Sequence, residues 1–248
     1  MKRAFKISSF GVTILAINYL LLLYFPQPLF AYSTDYGTFQ VHSRQPIGSE
    51  LAAVLDSAEA RLKRSPLYDK SVKRHVYLTD GFGMYALLSH KAYKSFANSV
   101  PLIDNIFVDK SDVPADRVFV NRAKNNSRSL SGVIAHEVTH LFIRRRYGTL
   151  AASIMPVWKN EGYCEYIAGD STISIEEGIR LWRENPADDT GYRYIKYHLM
   201  VKHMLEHENM SVDDLFTRSL DEKEIADQTF ADLDSFRLPI LTASLLDD

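Results

Sequence analysis

Cysteine is nearly absent: Cys164 stands alone, so no intrachain disulfide can stabilise the fold and a hydrophobic core must do so instead. A basic excess is missing too, with 29 Lys and Arg against 31 Asp and Glu and a formal net charge of −2. That balance gives no electrostatic footprint for DNA or RNA, so no nucleic-acid partner is expected. The sequence holds no internal repeat, no low-complexity tract and no Gly-x-Ser-x-Gly, which leaves no serine nucleophile elbow. Cys164 likewise lies in no motif that would pair it with a base. The chain does have the material for a core, since 46% of its 248 residues are hydrophobic, enough for one domain built in one or two lobes.

Charge is also missing locally. Lys2, Arg3 and Lys6 precede a stretch, Ile7 to Thr34, with no charged side chain at all. Within it Ile7–Phe25 is 19 residues long, close to the roughly 20 that a bilayer-spanning helix needs, with the basic residues marking the cytoplasmic end. The expectation is a membrane anchor at 1–34 and a domain at 35–248 held outside the cytoplasm. A cleaved signal segment ending at Ala31, leaving a secreted protein, is the rival, although bulky Leu29 fits a small-x-small cleavage site poorly. Pro26 and Pro28 end the apolar helix in either case.

Periodicity along the rest of the chain separates strands from helices. Thr38–His42, Arg74–Thr79, Asn105–Asp109 and Arg117–Asn121 read as strands, and Gly48–Arg64 reads as an amphipathic helix with Leu51, Val54, Leu55, Ala58 and Leu62 on one side. A turn at Asp80–Gly83 leads to a short helical piece around Met84–Leu88. From Trp158 onward helical pattern dominates, at about 158–169, 174–184 and 190–208, with shorter pieces to Leu246. Strands first and helices after is an α+β arrangement.

Between the two halves lies His136-Glu137-Val138-Thr139-His140, an H-E-x-x-H pentapeptide. At 3.6 residues per turn the two imidazoles fall on one face and can share a Zn²⁺, while Glu137 is placed to take a proton from water. The flanks support a helix: Ser129 or Ser131 can cap it, Arg144, Arg145 and Arg146 suit the negative end of its dipole, and Gly148 can stop it. Two histidines leave a catalytic zinc one protein ligand short, because such sites usually use three. Asn160-Glu161-Gly162 follows, with residues 141–160 separating His140 from Glu161.

Here the chain resembles the gluzincin zinc metallopeptidases, in which H-E-x-x-H on one helix is completed by a Glu on the next. The resemblance implies a zincin-like fold: an N-terminal sheet lobe, an active-site helix and a C-terminal helical lobe. It implies His136, His140 and Glu161 as zinc ligands, Glu137 as the base, and peptide or protein as substrate. In thermolysin-like members an acid four residues after the ligand Glu orients a zinc-bound imidazole, and Glu165 has that spacing. Aminopeptidase N-like members carry a Tyr-x-Lys helix whose phenol faces the reacting carbonyl, and Tyr194-Ile195-Lys196 has that form, at a shorter spacing that leaves Tyr192 and Tyr197 as rivals. Their Gly-x-Met-Glu-Asn strand is matched only by Gly81-Phe82-Gly83-Met84-Tyr85, without its Glu. The alternative is a non-catalytic gluzincin-like scaffold or peptide-binding module of the cell envelope.

His203-Met204-Leu205-Glu206-His207 has the inverted form H-x-x-E-H. On a helical wheel His203 and His207 align with Lys196, opposite an apolar face, and read as a solvated face. His42, His75, His90 and His198 have no partner at ligand spacing and read as ordinary structural or surface histidines.

Overall fold

The computed structural model describes residues 9–90, 94–120, 126–187, 189 and 192–236. Residues up to Thr149 pack as one compact unit and those from Leu150 onward as another.

The first unit holds α1 (Ser9–Tyr24), β1 (Tyr32–Tyr36), β2 (Phe39–Ser43), α2 (Leu51–Leu62), β3 (Arg74–Leu78), α3 (Phe82–Leu88), β4 (Ala97–Ser99), β5 (Asn105–Val108), β6 (Lys110–Asp112), β7 (Arg117–Phe119), β8 (Ser127–Ser129) and α4 (Leu130–Tyr147). Five strands form one sheet in the order β1-β2-β3-β5-β4, and β6, β7 and β8 form a second, three-stranded one. The central strands β2, β3 and β5 run parallel and the two edges, β1 and β4, antiparallel to their neighbours. Parallel strands are covered on both faces and so read as apolar runs. Val41, Val76 and Ile106 stand side by side across the three, all with no exposure. The five apolar residues expected on one side of α2 are its buried ones, and α2 packs on α4.

All four expected strands are present as β2, β3, β5 and β7; Asn121, the expected end of the last, lies outside the described residues. Four further strands, β1, β4, β6 and β8, carried no readable alternation: three of them are three residues long and largely polar.

The membrane anchor is corrected. Among the described residues no helix is long and apolar enough to cross a membrane. The described part of α1 has 16 residues, about 24 Å at 1.5 Å per residue against a hydrocarbon core of about 30 Å. The end of α1 and the turn that follows it are part of the protein core: Leu23 and Phe30 are buried with Tyr77, Tyr85, Leu88 and Phe107. The Tyr19 hydroxyl donates to the Leu87 carbonyl at 2.7 Å, and Asn105 Nδ2 donates to the Leu23 carbonyl at 2.8 Å. The transmembrane reading, and the extracytoplasmic location and membrane partner drawn from it, lose their support; Lys2, Arg3 and Lys6 lie outside the described residues.

The second unit is helical, with α5 (Thr149–Ile154) leading into α6 (Val157–Ala168), α7 (Ile175–Glu184), α8 (Arg193–Lys202), α9 (Val212–Thr217) and α10 (Glu222–Ala231). The pieces expected toward Leu246 fall partly at 237–248, outside the described residues. The chain is thus a mixed α/β protein with a sheet-bearing region followed by a helical one, in line with the α+β reading.

α6 and α8 approach closely because Gly162 has no side chain. A Cβ there would stand 2.5 Å from the Tyr197 carbonyl oxygen and 2.8 Å from Val201 Cγ2. A backbone oxygen cannot swing aside, so Gly162→Ala is expected to cost about 1–3 kcal/mol through overpacking, read as a lower midpoint in urea unfolding. Gly83→Ala is the control, since a Cβ there meets nothing within 4 Å. On α3 it should be neutral or stabilising; equal losses in both variants would reject the close-approach account.

Candidate metal centre

The small sheet delivers the chain to α4. Leu130 N donates to the Asp116 carbonyl at 3.1 Å, and the Asp116 carboxylate accepts from Ser131 N and Ser131 Oγ, both at 2.7 Å. Ser129, at φ −66 and ψ 136, is the cap, its hydroxyl accepting from Gly132 N at 3.1 Å. Gly148, at φ 88, ends the helix after Arg144, Arg145 and Arg146. Thirteen of its residues from Leu130 to Ile143 are buried, so α4 runs through the interior of its unit and is no ordinary exposed helix.

On α4 the two imidazoles turn toward each other. His136 Nε2 and His140 Nε2 are 3.2 Å apart, with the rings edge to face at 4.9 Å between centroids. Two nitrogens each about 2.05 Å from one tetrahedral zinc are separated by about 3.3 Å, so this donor pair fits the ion. Glu137 is 8% exposed, and its Oε2 accepts from the Ser99 backbone N–H at 2.7 Å. Ser99 ends β4, an edge of the five-stranded sheet. Val100 N bonds the Asn105 carbonyl and Asp109 N the Phe96 carbonyl, so the alternate residues Ala97 and Ser99 turn their backbone away from β5. The base of the motif is therefore held by the outer edge of a sheet. Nothing in the sequence near Ser99 signals this, because the partners are 38 residues apart.

The remaining expected site residues lie on helices of the second unit. Glu161 on α6 is half-buried, Glu165 is 1% exposed, and the Cys164 thiol is buried. Asn160 Nδ2 donates to the Ala152 carbonyl at 3.2 Å, so in Asn160-Glu161-Gly162 the first residue ties α6 to α5 and the third admits α8. Tyr194 is exposed, whereas Tyr192 is buried with its hydroxyl donating to the Asn185 carbonyl at 2.7 Å, and Tyr197 is buried.

Of the lone histidines, His90 is exposed and two others pack on aromatic rings. His42 stacks on Tyr77 at 4.8 Å, and His198 is buried on α8 with its ring edge-on to Tyr166 at 6.0 Å. Burial lowers the His198 pKa from 6.5 to about 4, against the opposing pull of the Glu165 charge and a hydrogen bond to the Glu165 backbone. Above pH 6.5 this imidazole is neutral whether the chain is folded or unfolded. Between pH 6.5 and 4 the unfolded chain takes up a proton that the folded chain refuses, so stability falls on acidification by about 1.4 kcal/mol per unit, on the order of 3 kcal/mol in all. The loss stops growing below about pH 4. His198→Gln should flatten that part of the curve of unfolding free energy against pH, and an unchanged slope would assign the acid sensitivity to other groups.

The inverted motif differs from its expected form. His203 is only 2% exposed and so is not on a solvated face; the chain from His203 to His207 is a π-helical turn, with Glu208 N donating to the His203 carbonyl at 3.1 Å. Ligand atoms of His203, His207 and Asp232 lie within 4.8 Å of one another. Asp232 went unnoticed in the sequence because it follows α10 and shares no motif with the two histidines. The described side chains thus include groups able to hold a metal ion.

No protein-family profile matches the chain, and no curated protein is significantly similar to it.

Proposed function

We propose that this chain is a zinc-dependent metallopeptidase with a zincin-like fold of the gluzincin kind. The observation that carries the reading is the α4 geometry: two imidazole nitrogens 3.2 Å apart on one buried helix, with the intervening motif carboxylate fixed by the Ser99 N–H. An accidental surface match to H-E-x-x-H has no reason to be buried, to converge its rings or to hold its glutamate at a sheet edge. His136 and His140 are two ligands, and Glu161 is assigned as the third from the Asn-Glu-Gly pattern. Zinc held there supplies Lewis acidity toward a carbonyl and acidifies water.

The chain's own groups account for the rest of the chemistry. Glu137 takes a proton from the attacking water and passes it to the departing amine nitrogen, so the hydroxyl ends on the carbonyl carbon and the proton on the new amino group. Among the three tyrosines, Tyr194 is assigned as the donor to the developing oxyanion, since the Tyr192 hydroxyl is spent on Asn185 and Tyr197 is buried. Glu165 is assigned to orienting an imidazole ligand.

Zinc analysis of purified variants tests the ligand set. Glu161→Ala should lose stoichiometric zinc, and Glu165→Ala should weaken it about 10–100-fold. Equal retention in both would reject Glu161 as ligand. A wild-type protein that binds zinc through these residues yet cleaves no peptide would be the non-catalytic module.

A further inference from the structure

We propose a second metal site, built by His203, His207 and Asp232, that takes a borderline divalent cation such as Zn²⁺ and clamps the end of α8 to the end of α10. Three observations in the second unit carry it. First, His203 is 2% exposed and its Nδ1 makes no hydrogen bond among the described residues, yet the Asp232 Oδ2 stands 3.5 Å from it. That separation is long for a hydrogen bond and close to the roughly 3.3 Å between two ligand atoms of one tetrahedral zinc.

Second, the other imidazole nitrogen, Nε2, faces the Glu208 Oε1 at 3.8 Å. A carboxylate on the far nitrogen favours the tautomer that leaves Nδ1 as the metal-binding lone pair. Third, the helix is rewound where the ligands sit: the π-helical turn from His203 to His207, closed by Glu208 N to the His203 carbonyl and Met210 N to the Met204 carbonyl, brings the two rings into a stack at 5.6 Å. The turn stands at the C-terminal end of α8 and sets the direction of both side chains there. Two imidazoles and one carboxylate favour zinc or cobalt over magnesium or calcium, which prefer oxygen.

The site is a clamp and not a second catalytic centre. The glutamate of the inverted motif, Glu206, accepts from the Tyr166 hydroxyl at 3.0 Å and lies 3.9 Å from Lys202 Nζ, so it does not serve water at this cluster. Asp232 lies just past α10, so a bound ion would close the chain between His207 and Asp232 and restrain its unfolding.

The test is equilibrium zinc binding and Co²⁺ absorption on the full chain and on variants at the exposed ligands, His207→Ala and Asp232→Ala, which leave buried His203 in place. In a His136→Ala/His140→Ala background about one equivalent of zinc should remain, with the intense visible absorption of tetrahedral Co²⁺. Adding either exposed-ligand change should weaken it at least about 100-fold, and Glu208→Gln about 10–100-fold. If the double variant does not fold, the same changes in the wild-type chain should lower the zinc stoichiometry from about two to about one. Saturating zinc should also raise the unfolding temperature of the wild type more than that of Asp232→Ala. Zinc affinity and stoichiometry unchanged by His207→Ala and Asp232→Ala would overturn the clamp and leave the α4 reading standing. Zinc that survives His136→Ala/His140→Ala at wild-type stoichiometry and is lost in Asp232→Ala would do the reverse.

Discussion

Glu137→Gln is expected to lower peptide hydrolysis by about 10²–10⁴-fold while zinc content and stability stay as in wild type. The substitution is nearly isosteric, and the glutamine carbonyl can still accept the Ser99 N–H that Glu137 Oε2 accepts at 2.7 Å, so the link between α4 and β4 is retained. His136, His140 and Glu161 are untouched. What disappears is a basic carboxylate able to remove a proton from water, so the loss should appear in kcat and kcat/KM together, with KM little changed. Hydrolysis at the wild-type rate would remove Glu137 from the mechanism. A parallel loss of zinc would show that the carboxylate acts on the metal site and not on the proton.

Arg74→Ala is expected to destabilise the first unit by about 3–5 kcal/mol, because it breaks a buried ion pair and empties an aromatic cage. Arg74 has no exposure, pairs through Nη1 with Glu59 of α2, and has its guanidinium carbon 4.9 Å from the Phe39 ring and 5.4 Å from those of Tyr68 and Phe142. Among the described residues its Nε and Nη2 make no hydrogen bond, so those rings supply the surroundings of the charge. Tyr68 completes the cluster by donating its hydroxyl to Glu59. Removing the cation leaves Glu59 beside an apolar void next to Phe142, two residues beyond His140, so the loss reaches the motif helix. The double change Arg74→Met/Glu59→Gln should recover much of the stability, since it removes both charges and keeps the volume. Denaturant midpoints, with the slope checked for constancy, measure both. A shift below about 1 kcal/mol in Arg74→Ala would show that the pair and cage contribute nothing net.

The helices were legible where their signals are local. The one-sided apolar residues of α2 and the serine cap, arginine-rich end and Gly148 stop of α4 each depend on residues within a turn or two. The short strands were not legible, since three residues of β4, β6 or β8 carry no periodicity and become strands only because a neighbour pairs with them. The misreading of α1 has the same origin. Hydropathy records that Leu23 and Phe30 avoid water, but not whether lipid or the rings of Tyr77 and Phe107 will cover them.

The sequence by itself determined the chemical inventory and its helical phasing: His136, Glu137 and His140 one turn apart, Glu161 within Asn-Glu-Gly, and strands before helices, because backbone periodicity and capping act over a few residues. Tertiary structure alone decided that Ser99 holds Glu137, that Arg74 meets Glu59 and Phe142, that Gly162 must stay bare under the Tyr197 carbonyl, and that Asp232 stands before His203. These depend on pairings between residues distant in the chain, whose geometry is set by how whole elements pack and not by any pattern along the chain.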